Sequence, residues 1–83
     1  MEYFVYILKC GNNTFYTGMT TNLKKRLFEH QNGLSLFTKA RLPVNLVYYE
    51  IVNTRNEARR CEVVIKDMSQ RKKMELISKF TSS

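Results

Sequence analysis

The segment YFVYILKCGNNTFYTGMT, residues 3–20, reads as two strands joined by a short turn. Residues 3–9 are β-branched and aromatic, which suits a pleated strand. Gly11-Asn12-Asn13 supplies residue types that tolerate positive φ. Residues 14–20 return as the second strand of a hairpin. A three-residue turn pairs Cys10 with Thr14, Leu8 with Tyr16 and Tyr6 with Gly18. Directly opposed residues project to the same side. That register therefore sets both phenols on one face and leaves space beside Tyr6, where Gly18 has no side chain. A two-residue turn would put the tyrosines on opposite faces. The turn length is thus part of any functional reading of Tyr6 and Tyr16.

Beyond the hairpin, TNLKKRLFEHQNG predicts a helix. Thr21 or Asn22 caps its start, and Asn32-Gly33 ends it in a left-handed turn. Leu23 and Leu27, four apart, are expected to face the core. Residues 34–43 read as a loop closed by Pro43, and residues 44–52 as a third strand. Strict alternation there places Val44, Leu46 and Tyr48 on one face and Val47, Tyr49 and Ile51 on the other. Thr54 with Glu57 fits a capping box for a second helix, whose stripe is Ala58, Cys61, Val64, Ile65 and Met68. Ser69 caps a third helix, with Met74, Ile77 and Phe80 packing inward. The fold class is α+β: a three-stranded antiparallel sheet flanked by helices, order ββαβαα. Residues 1–80 form a single domain, and 81–83 are expected to fray.

The chain has 83 residues, enough for one compact domain and a small core. Fourteen Lys and Arg against seven Asp and Glu leave a net charge of +7. A small domain this basic has phosphate-rich polymers as its first candidate partner. Cys10 and Cys61 form no CxxC pair, and one histidine is too few for a usual zinc site. Idle thiols in a cytoplasmic protein are expected. The start shows no signal-peptide pattern, and no apolar run approaches the roughly 20 residues of a membrane span.

Arg26 and His30 are four apart and share one helix face. They are expected at the boundary or surface, without an acid to pair internally, an arrangement that suits an anionic substrate. Glu62 lies on or beside the apolar stripe of the second helix. An acid there needs a partner or a metal ion, with Arg26 and Lys66 as the candidate ion-pair partners.

In order and spacing these residues resemble the GIY-YIG nuclease domain, specifically its small, stand-alone, single-domain bacterial branch. Val5-Tyr6-Ile7 matches the first motif and Tyr16-Thr17-Gly18 the second. Arg26 and His30 fall at the family's helix positions, and Glu62 at its metal-binding acid. The match covers residues 3 to about 78. Val5 replaces a glycine and Thr17 an isoleucine. No asparagine follows Asn56, so the position some family members fill with one is left to another group, with Ser69 or Gln70 as candidates.

The resemblance implies an endonuclease that hydrolyses phosphodiester bonds of DNA, in repair or recombination, with Mg²⁺ or Mn²⁺ held mainly by Glu62. It implies Tyr6 as general base, helped toward phenolate by nearby cations, and Arg26 as the phosphate-neutralising group. Tyr16 and His30 would position water or phosphate, and Gly18 would leave room for the nucleic-acid backbone. Lys24, Lys25, Lys39, Arg41, Arg71, Lys72 and Lys73 could track phosphates without reading sequence. A monomer is expected rather than a dimer. The alternatives are a nucleic-acid-binding module with little or no catalysis, and a basic protein-interaction module.

Overall fold

The structure is a computed structural model and describes residues 1–82. The element order is β1 (Tyr3–Lys9), β2 (Phe15–Thr20), α1 (Leu23–Gln31), a 3₁₀ turn (Lys39–Arg41), β3 (Asn45–Val52), α2 (Arg55–Asp67) and α3 (Gln70–Ser82). This is the expected ββαβαα order, with one short turn added inside the loop. The strands form one antiparallel sheet in the order β2-β1-β3.

The hairpin has the expected register, with Tyr6 opposite Gly18 and Leu8 opposite Tyr16. The Cys10 amide donates to Thr14 O at 2.8 Å and closes the turn. Positive φ falls on Asn13, at 64°, a conformation asparagine tolerates better than most residues.

Two layers cover the sheet. On one side Val5, Ile7 and Tyr48 pack with Ala58 and Ile65 of α2 to form the core. Leu76, Ile77 and Phe80 of α3 add to its margin. On the other side lie Tyr6, Leu8 and Tyr16, facing α1. Leu23 and Leu27 are half-buried there, lining a shallow hollow with Phe4 and Leu46.

The β3 alternation departs from the expectation. Tyr48 opposes Ile7, but Leu46 opposes Leu8, because a bulge interrupts the register between Ile7 and Leu8. Two residues of β3 there span one step of β1, so Leu46 and Tyr48 fall on opposite faces. Val47 packs with Tyr48 against the core.

Helix ends follow their residue chemistry. Asn22 accepts from the Lys25 amide at 3.1 Å, and Gly33 takes φ of 73° just past α1. The Thr54 hydroxyl oxygen accepts from the Glu57 amide at 3.1 Å. The same hydroxyl donates to the Glu57 carboxylate. Ser69 accepts from the Lys72 amide at 3.2 Å and caps α3. That cap occupies the hydroxyl considered for the missing asparagine's place.

Two core assignments are corrected. Val64 and Met74 are both more than half exposed. In α2 the inward stripe runs through Ala58, Cys61, Ile65 and Met68, and in α3 Leu76 takes the inward place expected of Met74. α3 runs to Ser82, and Ser83 lies outside the described residues.

Candidate active site

β1, β2 and α1 bring four of the five expected catalytic residues into one cluster. The Tyr6 and Tyr16 ring centroids are 6.4 Å apart. The His30 ring lies 5.9 Å from Tyr6 and 5.1 Å from Tyr16. Gly18 makes the arrangement possible. A Cβ added there would sit 2.6 Å from the Tyr6 hydroxyl oxygen and 3.2 Å from Tyr16 Cε2. The phenol of Tyr6 therefore fills the space that had been assigned to the nucleic-acid backbone.

His30 corrects a larger expectation. It is fully buried, not at the surface. Its Nε2 lies 3.1 Å from Tyr6 Oη and its Nδ1 lies 2.7 Å from Thr38 Oγ1. Burial first, then the charge of Arg26, holds its pKa below the ordinary 6.5, so the ring is neutral at pH 7.

Arg26 is partly buried and has the internal acidic partner that the sequence reading overlooked. It donates to Glu29 at 3.0 Å and to the buried Ser35 hydroxyl at 3.5 Å. These contacts fix the guanidinium beside both phenols. Burial raises the Tyr6 pKa to about 12, and Arg26 opposes that rise. Tyr16 is raised for the same first reason and opposed by the same cation. Proximity to Arg26 therefore does not make Tyr6 a phenolate, contrary to expectation: burial outweighs it.

Glu62 arrives from the opposite layer. α2 packs along β1 and β2, which brings Glu62 within electrostatic reach of Tyr6 and Tyr16. Its ion-pair partner is Lys66 at 3.7 Å, not Arg26, and about a fifth of its side chain is exposed. No group of three ligating His, Cys, Asp or Glu side chains occurs among the described residues. One half-buried carboxylate suits a hard divalent ion that keeps most of its shell as water and substrate phosphate, and does not suit an all-protein cage.

Two further residues belong to this region, Thr38 and Phe37, and a third, Glu50, lies on the other side of the sheet; none was singled out from the sequence. Thr38 is the second partner of His30. Phe37 is exposed and stacks on Tyr16, with centroids 5.7 Å apart and planes 27° apart. Glu50, in the core layer, accepts from Tyr48 at 2.7 Å and from the Cys61 thiol. Burial and that carboxylate push the Cys61 thiol up to about 12, consistent with an idle cysteine. Cys10 and Cys61 are both free. The apolar residues Leu34, Leu36 and Phe37 just before Thr38 were the one available signal for Phe37, whereas Thr38 and Glu50 gave none.

The basic residues divide. Lys24 and Lys25 lie on α1 and Lys39 and Arg41 on the 3₁₀ turn, close in sequence to Arg26, His30 and Thr38. Arg71, Lys72 and Lys73 lie on α3, which packs against β3, the strand at the opposite sheet edge from β2. Arg71 is also paired with Glu75 at 3.6 Å.

A minimal sheet thus seats two phenols, an arginine and a histidine on one face, with the carboxylate of Glu62 on the other layer. The model of the GIY-YIG catalytic domain matches residues 2–75, and the chain belongs to the GIY-YIG family. It is similar to a UPF0213 protein of Staphylococcus saprophyticus, 42% identical over 78 residues that span 93% of this chain and 95% of the relative. A UPF0213 protein of Clostridium perfringens is 45% identical over 76 residues, 90% of this chain and 82% of the relative. The solution NMR structure of a UPF0213 protein from Bacillus halodurans superposes with a TM-score of 0.62 at 38% identity, covering 94% of this chain and 84% of that one. A solution NMR structure of an E. faecalis protein gives 0.67 at 30% identity, covering 100% and 90%. The family is one of nucleases acting on nucleic acid, generally with divalent metal ions. No helix among the described residues is long and apolar enough to cross a membrane.

Proposed function

We propose that this protein is a metal-dependent endonuclease that hydrolyses phosphodiester bonds in DNA. The observation that carries the reading is the cluster of the Tyr6, Tyr16 and His30 rings on one sheet face, with Arg26 anchored beside them by Glu29 and Ser35. Phosphodiester hydrolysis needs charge neutralisation at phosphorus, an oriented water and a stabilised leaving oxygen. Arg26, held by Glu29 and Ser35, presents its remaining donors to a phosphate in a forked contact that lysine cannot copy. Tyr6 is assigned as acceptor of the water's proton in its phenolate form, after the phenol's own proton has passed to solvent, with Tyr16 orienting water or phosphate beside it. His30 holds the Tyr6 oxygen from behind. Gly18 serves the site by seating the Tyr6 ring. Mg²⁺ or Mn²⁺ bound through Glu62 would supply Lewis-acid stabilisation of the phosphate and the leaving 3′ oxygen.

Lys24, Lys25, Lys39 and Arg41 are assigned to the phosphate backbone, and the α3 cations are left out of the footprint. One such site per chain cuts one strand. The test is cleavage of supercoiled plasmid and labelled single-stranded DNA with Mg²⁺, Mn²⁺ or EDTA. Wild type is compared with Glu62→Gln and Tyr6→Phe. Metal-dependent cutting lost in both variants supports the assignment. Cutting that survives in both removes it. Salt-sensitive binding with no cutting by wild type favours a binding module.

A further inference from the structure

Phe37 is 63% exposed and lies outside the core cluster. One face of its ring stacks on Tyr16, with planes 27° apart. What the ring shows to solvent is therefore its other face and its edge. A phenylalanine left this open adds little to folding, because apolar side chains stabilise through the area they bury.

Its position is nonetheless fixed from both sides. Ser35, two residues before it, is buried; its hydroxyl accepts from Arg26 and its carbonyl from the Thr38 and Lys39 amides. Thr38, the next residue, is buried against His30. Farther along, the Arg41 carbonyl accepts from the Gly11 amide of the hairpin turn at 2.7 Å. A ring on so pinned a segment has little freedom to lose when a ligand lands on it.

The open face is flat and apolar, and its surroundings are cationic. Lys39 and Arg41 follow it and are exposed, and Arg26 is anchored to the same segment through Ser35. A ligand matched to both features carries a flat π system and a negative charge close together, as a nucleotide does. Within a duplex the faces of each base are already stacked on its neighbours. Only an unpaired, unstacked base has a face to give to Phe37.

We propose that Phe37 is a base-stacking residue: its outer ring face receives an unpaired nucleobase of the strand whose phosphate lies at Arg26, extending the Tyr16–Phe37 stack by one ring. The proposal rests on reading this face as a nucleic-acid site, and it is tested without cleavage.

Fluorescence anisotropy in EDTA at one low salt concentration gives the Kd of the full chain for three labelled probes: single-stranded oligothymidylate, the same strand made abasic, and a duplex. Phe37→Ala is expected to weaken single-strand binding about 5- to 150-fold, the range for loss of one aromatic–base stack. Phe37→Tyr keeps the ring and should bind like wild type. Phe37→Leu keeps apolar bulk without the ring and should bind like Phe37→Ala. On the abasic strand and the duplex, wild type and Phe37→Ala should bind alike. Equal single-strand affinity of wild type and Phe37→Ala overturns the proposal, as does absence of single-strand binding by wild type. A loss of the same size on the abasic strand also overturns it, because phosphate contact and not stacking would then have been disturbed. Wild-type affinity in Phe37→Leu overturns it in favour of an apolar patch, shared with the exposed Leu34 and Leu36, that suits a protein partner. Should the variants bind as described while wild type cuts no DNA, hydrolysis falls and the role of Phe37 stands. Should wild type cut DNA and Phe37→Ala bind and cut unchanged, the role of Phe37 falls and the nuclease reading stands.

Discussion

Gly18→Ala perturbs the site at its tightest point. The added Cβ would stand 2.6 Å from Tyr6 Oη, 2.8 Å from Cζ and 3.2 Å from Tyr16 Cε2. Favourable contacts of this kind lie at about 3.5–4.0 Å, so the Tyr6 ring must retreat by about 1 Å. It is 2% exposed and tied to His30 at 3.1 Å, so retreat disrupts packing and that hydrogen bond together. Overpacking costs about 1–3 kcal/mol, and the weakened buried hydrogen bond about 1 kcal/mol more. A total of about 2–4 kcal/mol lowers Tm by roughly 10–25 °C in a domain of this size. A 1 Å misplacement of a reacting group costs about 100-fold in rate, so kcat should fall by that order even well below Tm. Gly33→Ala is the control: it strains a backbone at φ of 73° but its new Cβ comes no nearer than 3.5 Å to another side chain, that of Leu42. It should lose stability and keep kcat. Urea titration and single-turnover cleavage of both variants make the comparison. A Gly18→Ala protein with wild-type midpoint and wild-type cleavage would refute the idea that this glycine seats the phenol.

Thr17 opposes Ile7 in the core layer, is 4% exposed and has no partner for its hydroxyl among the described residues. Thr17→Val should therefore stabilise the fold by about 1–2 kcal/mol, read as a higher urea midpoint with cleavage unchanged. His30 is held below its ordinary pKa by burial, then by Arg26, so the unfolded chain takes up the proton more readily. The stability it contributes is complete above about pH 6.5 and is lost as pH falls through the lowered folded-state value; His30→Asn should flatten that slope in urea midpoints measured from pH 7.5 to 5. Removing two phosphate contacts with Lys24→Ala/Lys25→Ala should flatten the log Kd against log salt plot for duplex DNA by about 2, at about 0.9 per contact. Lys72→Ala/Lys73→Ala should leave that slope unchanged, because α3 lies against the far sheet edge.

The hairpin register was legible because turn chemistry and side-chain alternation agree over residues 3–20, and both are local. Helix starts at Asn22 and Thr54 were legible for the same reason. Interactions across distance were not. The burial of His30 depends on Tyr6, 24 residues away, and on Thr38 in a loop with no periodicity. The Arg26–Glu29 pair is the exception, because its i+3 spacing on α1 is a local signal. The bulge in β3 leaves no mark in NLVYYEIV, and strict alternation therefore misplaced Leu46. In α2 and α3 the apolar positions outnumber those the small sheet can cover, so Val64 and Met74 satisfied the helical period yet stayed outside.

The extra residue in β3 has a meaning for how the molecule divides its labour. A single sheet of three strands must serve a dry side, held by α2 and α3, and a chemical side, held by α1. Because Leu46 and Tyr48 fall on opposite faces, one strand contributes a large side chain to each side in adjacent turns of the pleat. Mechanical continuity between the two halves thus runs through the middle of β3, with no linker or hinge needed. Leu46 lines the hollow beside Leu23 and Leu27 while Val47 and Tyr48 pack on the core, so loss of the bulge would move a side chain of each half at once.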